Sequence, residues 1–158
     1  MIRPYEPRDL EALAEIGDRA WRPIHRMFRR RYGDALFALL VPDEQTAKGE
    51  QVREHCREHP DWVLVCEEAG RVVGFATFHI HPARRIGEIG NNAVDPDVQG
   101  RGLAQQLYQA VLERFRREGL LYAKVQTGLD DAHGPARRAY ERAGFDIRHE
   151  TVTYYQTL

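Results

Sequence analysis

The chain has 158 residues, of which 42% are hydrophobic and 30% are charged, and its formal net charge is −1. This length fits one domain spanning residues 1–158, and the composition excludes disordered, collagen-like and coiled-coil proteins. The balanced charge argues against a nucleic-acid partner, whose binding requires an excess of positive charge. No apolar run is long enough to span a bilayer and no signal peptide is visible, so we expect a cytoplasmic protein without a membrane partner.

Three residue types narrow the chemistry further. The chain contains no serine, so a serine nucleophile is excluded. Its two cysteines, Cys56 and Cys66, do not make a disulfide framework, and reduced thiols are the simpler expectation. The positive charge is almost entirely arginine, with Lys48 and Lys124 the only lysines.

The first 60 residues predict one strand and two helices. Residues 2–5 favour a strand, and Asp9 is a helix cap before apolar residues at helical spacing. Residues 21–33 are expected to form an arginine-rich connection with aromatic side chains. A second helical stretch, 34–59, follows, with a break expected near Pro42 because proline ends or bends a helix.

The rest of the chain alternates strands and helices. Three β-rich runs are followed by a helix that starts at Leu103 and ends at Gly119, and an Ala69-Gly70 turn joins the first two runs as a hairpin. The predicted strands are 62–68, 72–80, 86–94, 121–127, 145–147 and 151–156, with a short helix over 131–143. The order β-α-α-β-β-β-α-β-α-β-β predicts a mixed α/β (α+β) fold, a sheet flanked by helices.

The most informative segment joins strand 86–94 to the long helix. Gly100 and Gly102 allow a tight turn that brings unpaired backbone N–H groups close to a ligand. Those donors, and the positive end of the helix, suit a phosphate or pyrophosphate. A P-loop is excluded because its Lys-Ser/Thr pair is absent, and a dinucleotide-binding fingerprint fails at Gln105. Taken alone, the Gly-x-Gly pattern is more typical of an ordinary strand-to-helix turn.

Two longer motifs occur in this half of the chain. The first is Val-x-Pro followed by Gln-x-x-Gly-x-Ala, formed by Val94, Pro96, Gln99, Gly102 and Ala104. The second, about 40 residues later, is Ala-x-x-x-Tyr-x-x-x-Gly-Phe, formed by Ala136, Tyr140, Gly144 and Phe145. In this order they resemble the GNAT superfamily of acyl-CoA-dependent N-acetyltransferases, from residue 72 to the C-terminus. One departure is His133, which stands where the family usually has asparagine.

The resemblance implies a twisted mixed sheet, splayed open between strands 86–94 and 121–127, that binds acetyl-CoA as a co-substrate. The pantetheine arm is expected to pair with the backbone in that opening, and the pyrophosphate to contact the amides of the turn. An imidazole at position 133 can still hydrogen-bond the cofactor. The implied cofactor-binding residues are Ala93, Val94, Gln99, Gly100, Arg101, Gly102, Leu103, Ala104, His133 and Tyr140.

Tyr140 matches the tyrosine that usually serves as the general acid of this family. A tyrosine pKa of ~10 lies about 1.5 units above the ~8.5 of a thiol, so complete proton transfer costs roughly 2 kcal/mol. We therefore expect Tyr140 to act first as a hydrogen-bond donor to the developing thiolate. The alternative is a core tyrosine on an alanine-lined helix face.

Glu88 is the candidate general base, because some members of the family carry a catalytic glutamate on this strand. Strand alternation puts Glu88, Gly90, Asn92 and Val94 on one face unless a bulge intervenes. A solvated strand glutamate is an equally good interpretation of this residue.

A third pattern, HCREH at residues 55–59, matches the H-x-x-E-H motif of inverted zinc peptidases. No third ligand is signalled and the segment lies among charges before Pro60, so a solvated helix end is favoured and no metal is expected. Arg26, Arg29, Arg30 and Arg31 are interpreted as a solvated surface or an interface.

These observations predict an N-acetyltransferase that transfers the acetyl group of acetyl-CoA to the primary amine of a small molecule or peptide, by direct attack in a ternary complex. The acceptor pocket is expected to involve residues 21–32, strand residues 88–92 and the terminal strands. Residues 151–156 also suit an interface, and we predict a homodimer. An alternative is a non-catalytic acyl-CoA-binding sensor that kept the cofactor site.

Overall fold

Five strands and four helices form the fold in the computed structural model, which describes residues 1–158. The mixed α/β class predicted from the sequence is confirmed. The strands are β1 (Ile2–Pro4), β2 (Val63–Glu68), β3 (Arg71–His81), β4 (Ile86–Val94) and β5 (Tyr122–Val125). The helices are α1 (Leu10–Leu40), α2 (Ala47–Glu58), α3 (Leu103–Arg117) and α4 (Gly134–Arg142).

The strands form one sheet in the order β1-β2-β3-β4-β5. Neighbouring strands are antiparallel except for β4 and β5, which are parallel. The hairpin between β2 and β3 turns at Ala69 and Gly70, whose φ angles of 49° and 76° are those that a type I′ turn requires. Helix α3 supplies the long crossover that a parallel pair of strands needs.

Each face of the sheet buries its own apolar core. Helices α3 and α4 pack on one face, where Phe78, Leu107 and Phe115 belong to a core of 14 buried residues. Helices α1 and α2 pack on the other face, where Leu13, Val52 and other residues form a core of seven. Both faces of β3 and β4 are therefore covered, and a functional group on either strand can reach solvent only where the helices part.

A bulge in β4 changes which side chains share a face. One residue of β3, Thr77, lies opposite two residues of β4, Gly90 and Asn91. Because side chains alternate along a strand, the extra residue reverses the alternation. Glu88 therefore lies on the α1–α2 face together with Asn91, whereas Asn92 points to the α3–α4 face. The prediction that Glu88, Gly90, Asn92 and Val94 share one face is wrong for this reason.

The predicted connection over residues 21–33 is helical instead. Ile24 and His25 are buried on the same helix as Leu13, so the inward face continues through the arginine-rich segment. The helix is interrupted at Gly33, whose φ of 77° no helical residue adopts. The break expected near Pro42 is confirmed, because α1 ends at Leu40 and α2 begins at Ala47.

The two predicted terminal strands, 145–147 and 151–156, are not formed. Residues 145–158 have no regular secondary structure, and all of their side chains except Phe145 are exposed. Charged residues from 146 to 150 interrupt the apolar pattern of the segment. Tyr155 instead contacts Tyr32 of α1, with ring centroids 5.5 Å apart.

Candidate active site

An open edge of β4 lies at the centre of the candidate site. The ladder between β4 and β5 covers only Ile86–Ile89 of β4, so the two strands separate beyond the bulge. On its other edge β4 stays paired with β3 as far as Val94. Asp95 N donates to the carbonyl of Val73 at 2.8 Å, so by alternation the backbone of Ala93 faces β3 and that of Val94 faces the gap. The predicted splaying of β4 and β5 is present.

The double-glycine turn closes one end of this gap. Gly100 and Gly102 have φ angles of 81° and 77°, and α3 begins immediately afterwards at Leu103. A Cβ atom added to either glycine would have no other atom within 4 Å, so the backbone of the turn is open to a ligand. The buried side chain of Leu103 anchors the first turn of the helix, whose N–H groups at residues 103–105 have no intrahelical partner.

The side chains of Gln99 and Arg101 have structural partners. Gln99 Nε2 donates a hydrogen bond of 3.0 Å to the carbonyl of Val94, which links the turn to the end of β4. The guanidinium of Arg101 is paired with Glu68 of β2 at 2.8 Å and does not line the gap. Arg101 can therefore contribute its backbone N–H to the turn, whereas its side chain points elsewhere.

Tyr140 extends from α4 to the α3–α4 face of β4 and is only 6% exposed. Asn92 Nδ2 donates a hydrogen bond of 3.0 Å to Tyr140 Oη, while Tyr108 Oη of α3 donates to Asn92 Oδ1 at 2.7 Å. The Tyr108 bond orients the Asn92 amide so that its NH2 group faces Tyr140. Tyr140 Oη donates in turn to Asn92 Oδ1, but only at 3.4 Å, so a closer acceptor in the cleft can take over this long hydrogen bond.

Burial keeps both tyrosines protonated. Desolvation raises the pKa of Tyr140, and the hydrogen bonds from its neighbours only partly oppose this effect. Desolvation and the adjacent Tyr140 raise the pKa of Tyr108. The pair can therefore supply a neutral hydroxyl donor at neutral pH, and Tyr140 is not poised to act as a base.

Glu88 is placed on the opposite face, at the edge of the same gap. Its carboxylate accepts a hydrogen bond of 2.9 Å from Lys124 Nζ of β5, and Nε2 of His81 lies 3.8 Å away. The side chain is 27% exposed. An ion-paired but solvent-accessible carboxylate in this position can take a proton directly or through water.

His133 lies just before α4 and lines the same cavity. Its Nδ1 is 2.7 Å from Asp130 Oδ2, and its ring lies 6.2 Å from that of Phe28 on α1. Desolvation of Asp130 is outweighed by hydrogen bonds from His133, so the pKa of this carboxyl is lowered. The carboxylate fixes the imidazole, which leaves Nε2 as the atom that can contact a ligand.

The α1–α2 face contributes residues that the sequence did not suggest. Lys48, in the first turn of α2, is 8% exposed, and its Nζ donates to Asn91 Oδ1 at 3.0 Å and to Gln51 Oε1 at 2.7 Å. The same nitrogen lies 4.2 Å from the centre of the Trp21 ring. Desolvation lowers the pKa of Lys48 to about 8, against a weaker opposing effect of Asp18.

One cavity of about 1240 Å³ follows β4 from Glu88 to the glycine turn, and its lining includes Lys48, Asn92, His133 and Tyr140. Its charge is strongly positive. Glu88 is the only acidic residue in the lining, against Arg19, Arg22, Arg26, Lys48, Arg138 and Arg142. A cleft of this size and sign suits a long anionic ligand.

Comparison with known proteins identifies the family. The model of the acetyltransferase (GNAT) family matches residues 21–145, most of this chain. The chain belongs to this family. It is also similar to S-(2-succino)cysteine N-acetyltransferase from Bacillus subtilis, with 30% identity over 87% of this chain and 79% of that protein.

Mycothiol acetyltransferases are further relatives in the family. The protein from Saccharomonospora viridis is 31% identical over 98% of this chain, which corresponds to 48% of its own length. The protein from Streptomyces coelicolor is 33% identical over 62% of this chain and 31% of its own length. The chain thus spans about half or less of the length of these relatives.

A solved family structure shares the same fold. The GNAT family acetyltransferase from Brucella melitensis, determined in complex with acetyl-CoA, has a TM-score of 0.64 and 23% identity, and the match covers 93% of this chain and 82% of that one. The mixed five-stranded sheet flanked by helices is therefore the GNAT arrangement.

The prediction that the HCREH segment is a solvated helix end is wrong for His55, whereas His59 lies partly exposed at the C-terminal end of α2. His55 is buried, its Nε2 lies 3.2 Å from the carbonyl of Trp62, and its ring is 4.8 Å from that of His79. Burial lowers the pKa of His55 to about 4. In this GNAT chain no group of three or more His, Cys, Asp or Glu side chains is arranged to hold a metal ion. Its helices are all too short or too polar to span a membrane.

Proposed function

We propose that this chain is an N-acetyltransferase that transfers the acetyl group of acetyl-CoA to the primary amine of a small molecule, by direct attack in a ternary complex. The observation that carries the proposal is the Tyr140 hydroxyl beside the open edge of β4, with only a 3.4 Å hydrogen bond on its proton and the glycine turn closing the same gap. The names of the mycothiol and S-(2-succino)cysteine acetyltransferases support a small-molecule acceptor.

The residues that line the gap fit acetyl-CoA. The backbone N–H of Val94, at the open edge of β4, can pair with the pantetheine arm as a neighbouring strand would, whereas the backbone of Ala93 faces β3. The N–H groups of the turn and of the first residues of α3 can bind the pyrophosphate, since a helix N-terminus favours negative charge. His133 Nε2 and the arginines of α4 add positive or donor groups along the same wall. When bound, acetyl-CoA supplies a thioester as the acetyl donor.

Tyr140 acts on the leaving thiol. As the acceptor nitrogen bonds to the acetyl carbon, the carbon–sulfur bond breaks and negative charge develops on sulfur. The Tyr140 hydroxyl donates a hydrogen bond to that sulfur, and its proton transfers late because the pKa of tyrosine is above that of a thiol. Asn92 and Tyr108 are positioning residues that hold the hydroxyl oxygen at the cleft, where the sulfur can replace Asn92 Oδ1 as the acceptor of its proton.

Glu88 acts on the acceptor amine. A primary amine has a pKa near ~10 and must lose a proton before it can attack. The Glu88 carboxylate lies on the other face of β4 from Tyr140, so the proton is removed on one side of the strand and the sulfur is stabilised on the other. Lys124 and His81 hold the carboxylate at the edge of the gap.

A covalent acetyl-enzyme is not part of the proposal. The chain has no serine, and both of its cysteines are buried. Desolvation raises the pKa of Cys56 to about 11 and also raises that of Cys66, which leaves little thiolate at neutral pH. Direct attack by the amine is the mechanism that these side chains support.

The proposal is tested by measuring thiol release from acetyl-CoA across a panel of amines. We expect release that depends on one class of amine and yields its N-acetyl product. A non-catalytic sensor would instead bind acetyl-CoA in calorimetry and release no thiol with any amine, and that result would overturn the enzymatic assignment.

We also propose that the protein forms a homodimer, and a cytoplasmic location remains a prediction. Val152, Tyr154 and other apolar side chains of the C-terminal segment are exposed, as are Leu121 and Tyr122 at the unpaired edge of β5. Their burial against a second copy would remove apolar area from water. Light scattering at micromolar concentration should give twice the chain mass, and a monomer would contradict the dimer.

A further inference from the structure

We propose that Lys48 binds a carboxylate of the acceptor, so that the preferred acceptor is an amine that also carries a carboxylate group. The inference rests on the proposed function and names the substrate class of the same site. Lys48 becomes a specificity-determining residue, separate from the groups that move protons.

The first observation is that Lys48 is a buried cation without an anion. Its Nζ has two hydrogen bonds, to amide oxygens of Asn91 and Gln51, and contacts the Trp21 ring, but no carboxylate forms an ion pair with it. Asp18, the nearby acid, accepts a hydrogen bond from the backbone N–H of Gly49 instead. Buried charges in proteins are normally paired, and an ammonium group has three donors. One donor of Lys48 is left for a ligand in the cavity that it lines.

The second observation is an unsatisfied hydroxyl at the same bulge. Thr77 is 1% exposed, and its Oγ1 has no hydrogen-bond partner, although it lines the cavity. A Cβ atom placed on Gly90 would lie 2.7 Å from this oxygen, so Thr77 is directed at the bulge from β3. Lys48 contacts the next residue, Asn91. A carboxylate oxygen at the bulge can accept from both groups, which would satisfy each of them.

The surroundings favour an anion at this end of the cleft. Arg22 and Arg26, exposed on α1, line the cavity near Trp21. Glu88, the only acid in the lining, is already paired with Lys124. Burial lowers the pKa of Lys48 to about 8, and a bound carboxylate would raise it again by favouring the charged form.

The phosphates of acetyl-CoA do not account for this arrangement. Their donors are the turn and the start of α3, on the α3–α4 side of β4, whereas Asn91 and Lys48 lie on the α1–α2 side. We therefore assign the anion that binds Lys48 to the acceptor amine, the second substrate.

The test compares acids with their amides. Initial rates of thiol release are measured with α- and ω-amino acids of increasing length and with the corresponding primary carboxamides, for the wild type, Lys48→Met, Lys48→Arg and Thr77→Val. Each acid–amide pair is compared within each variant, so the different amine pKa values of the pair cancel between variants.

We expect the wild type to prefer at least one acid over its amide. Lys48→Met should lower kcat/KM for that acid by roughly 30- to 100-fold, mainly through KM, and change the amide by less than about threefold. Thr77→Val, which keeps the side-chain shape, should lower kcat/KM for the acid by roughly threefold to tenfold. Lys48→Arg should restore part of the preference, and acetyl-CoA affinity should be unchanged in all variants.

Two results would overturn the inference while leaving the proposed function intact. One is turnover with equal kcat/KM for acids and amides in the wild type. The other is an equal decrease in kcat/KM for the acid and the amide in Lys48→Met. Lys48 would then have a structural role or act as a base, and would not bind a carboxylate. Binding of carboxylic acids that lack the amine, measured by calorimetry in the presence of CoA, gives the same comparison without turnover. If Lys48→Met does not fold, Thr77→Val carries the test.

Discussion

The two faces of β4 present different kinds of chemical group to a ligand. On the α3–α4 face the groups that would hold the cofactor are mainly backbone N–H groups of a glycine turn and neutral hydroxyls such as Tyr140, with His133 and the arginines of α4 along the wall. On the α1–α2 face they are ionisable side chains, among them Glu88, Lys48 and His55. The first face suits a ligand that is the same throughout a family, because a backbone cradle depends on few side chains. The second face is where a chain can change its acceptor.

The largest effect expected from this comparison is on the α3–α4 face. Tyr140→Phe keeps the ring that packs on Tyr108 and removes only the hydroxyl. We expect kcat to fall by roughly 10²–10⁴, the range for one lost acid or electrostatic donor, with acetyl-CoA affinity nearly unchanged. Steady-state kinetics and calorimetry check both parts. Tyr108→Phe loses only the hydrogen bond that positions Asn92, and it should lower kcat by about tenfold or less.

Gly102→Glu tests the turn that is expected to hold the pyrophosphate. Bulk and negative charge at this open position should weaken acetyl-CoA binding by about 10²-fold or more, measured by calorimetry. Gly119→Glu is the matched control, because Gly119 has a similar φ of 71°, has equally open surroundings and lies at the other end of α3. Equal affinities in the two variants would remove the turn from the cofactor site.

Glu88→Gln examines proton removal on the α1–α2 face. The change keeps the shape of the side chain and deletes the proton acceptor, so the rate should fall by roughly 10²-fold near pH 7. The loss should shrink as the pH rises, since more of the amine then arrives deprotonated. A rate ratio that stays constant from pH 7 to 10 would assign Glu88 to substrate positioning instead.

His55, on the α1–α2 face, makes the stability of the fold depend on pH. The pKa of His55 falls from 6.5 to about 4 on burial, so the unfolded chain takes up a proton at a higher pH than the folded one. The stability that this group contributes is complete above pH 6.5 and is lost as the pH falls toward 4, by about 3 kcal/mol in all.

Urea unfolding at pH 7 and pH 4.5 measures this loss. His55→Gln keeps a donor for the Trp62 carbonyl and should lose about 2 kcal/mol less than the wild type over that interval. His149→Gln, in the exposed C-terminal segment, is the control and should behave as the wild type does. An identical acid response in the two variants would show that His55 does not govern it.

The same contrast explains what could be predicted from the sequence. The glycine turn, α3 and the β2–β3 hairpin follow from short-range patterns, because each depends on residues within one or two turns of chain. The role of Tyr140 came from the family resemblance. The splay of β4 from β5 came from the family resemblance. The assignment of residues 1–158 to one domain stays a prediction.

What the sequence did not reveal depends on contacts between distant segments. The bulge at Gly90 and Asn91 has no local signature, and it moved Glu88 to the face opposite Asn92. Lys48 is an ordinary exposed helix lysine by pattern, and it becomes a buried cation only because Trp21 and Asn91 meet it in space. The predicted terminal strands are not formed although the outer edge of β5 is unpaired, because β-propensity depends on packing against neighbouring side chains and does not fix a strand by itself.

The most direct test of the two-face account is the initial-velocity pattern of thiol release when acetyl-CoA and the acceptor amine are both varied. If the donor is held on one face of β4 while the acceptor is bound and deprotonated on the other, both must be present together, and double-reciprocal plots should give intersecting lines. Parallel lines, with an acetyl group found on the protein by mass spectrometry, would contradict direct attack and require a covalent intermediate that the buried cysteines do not favour.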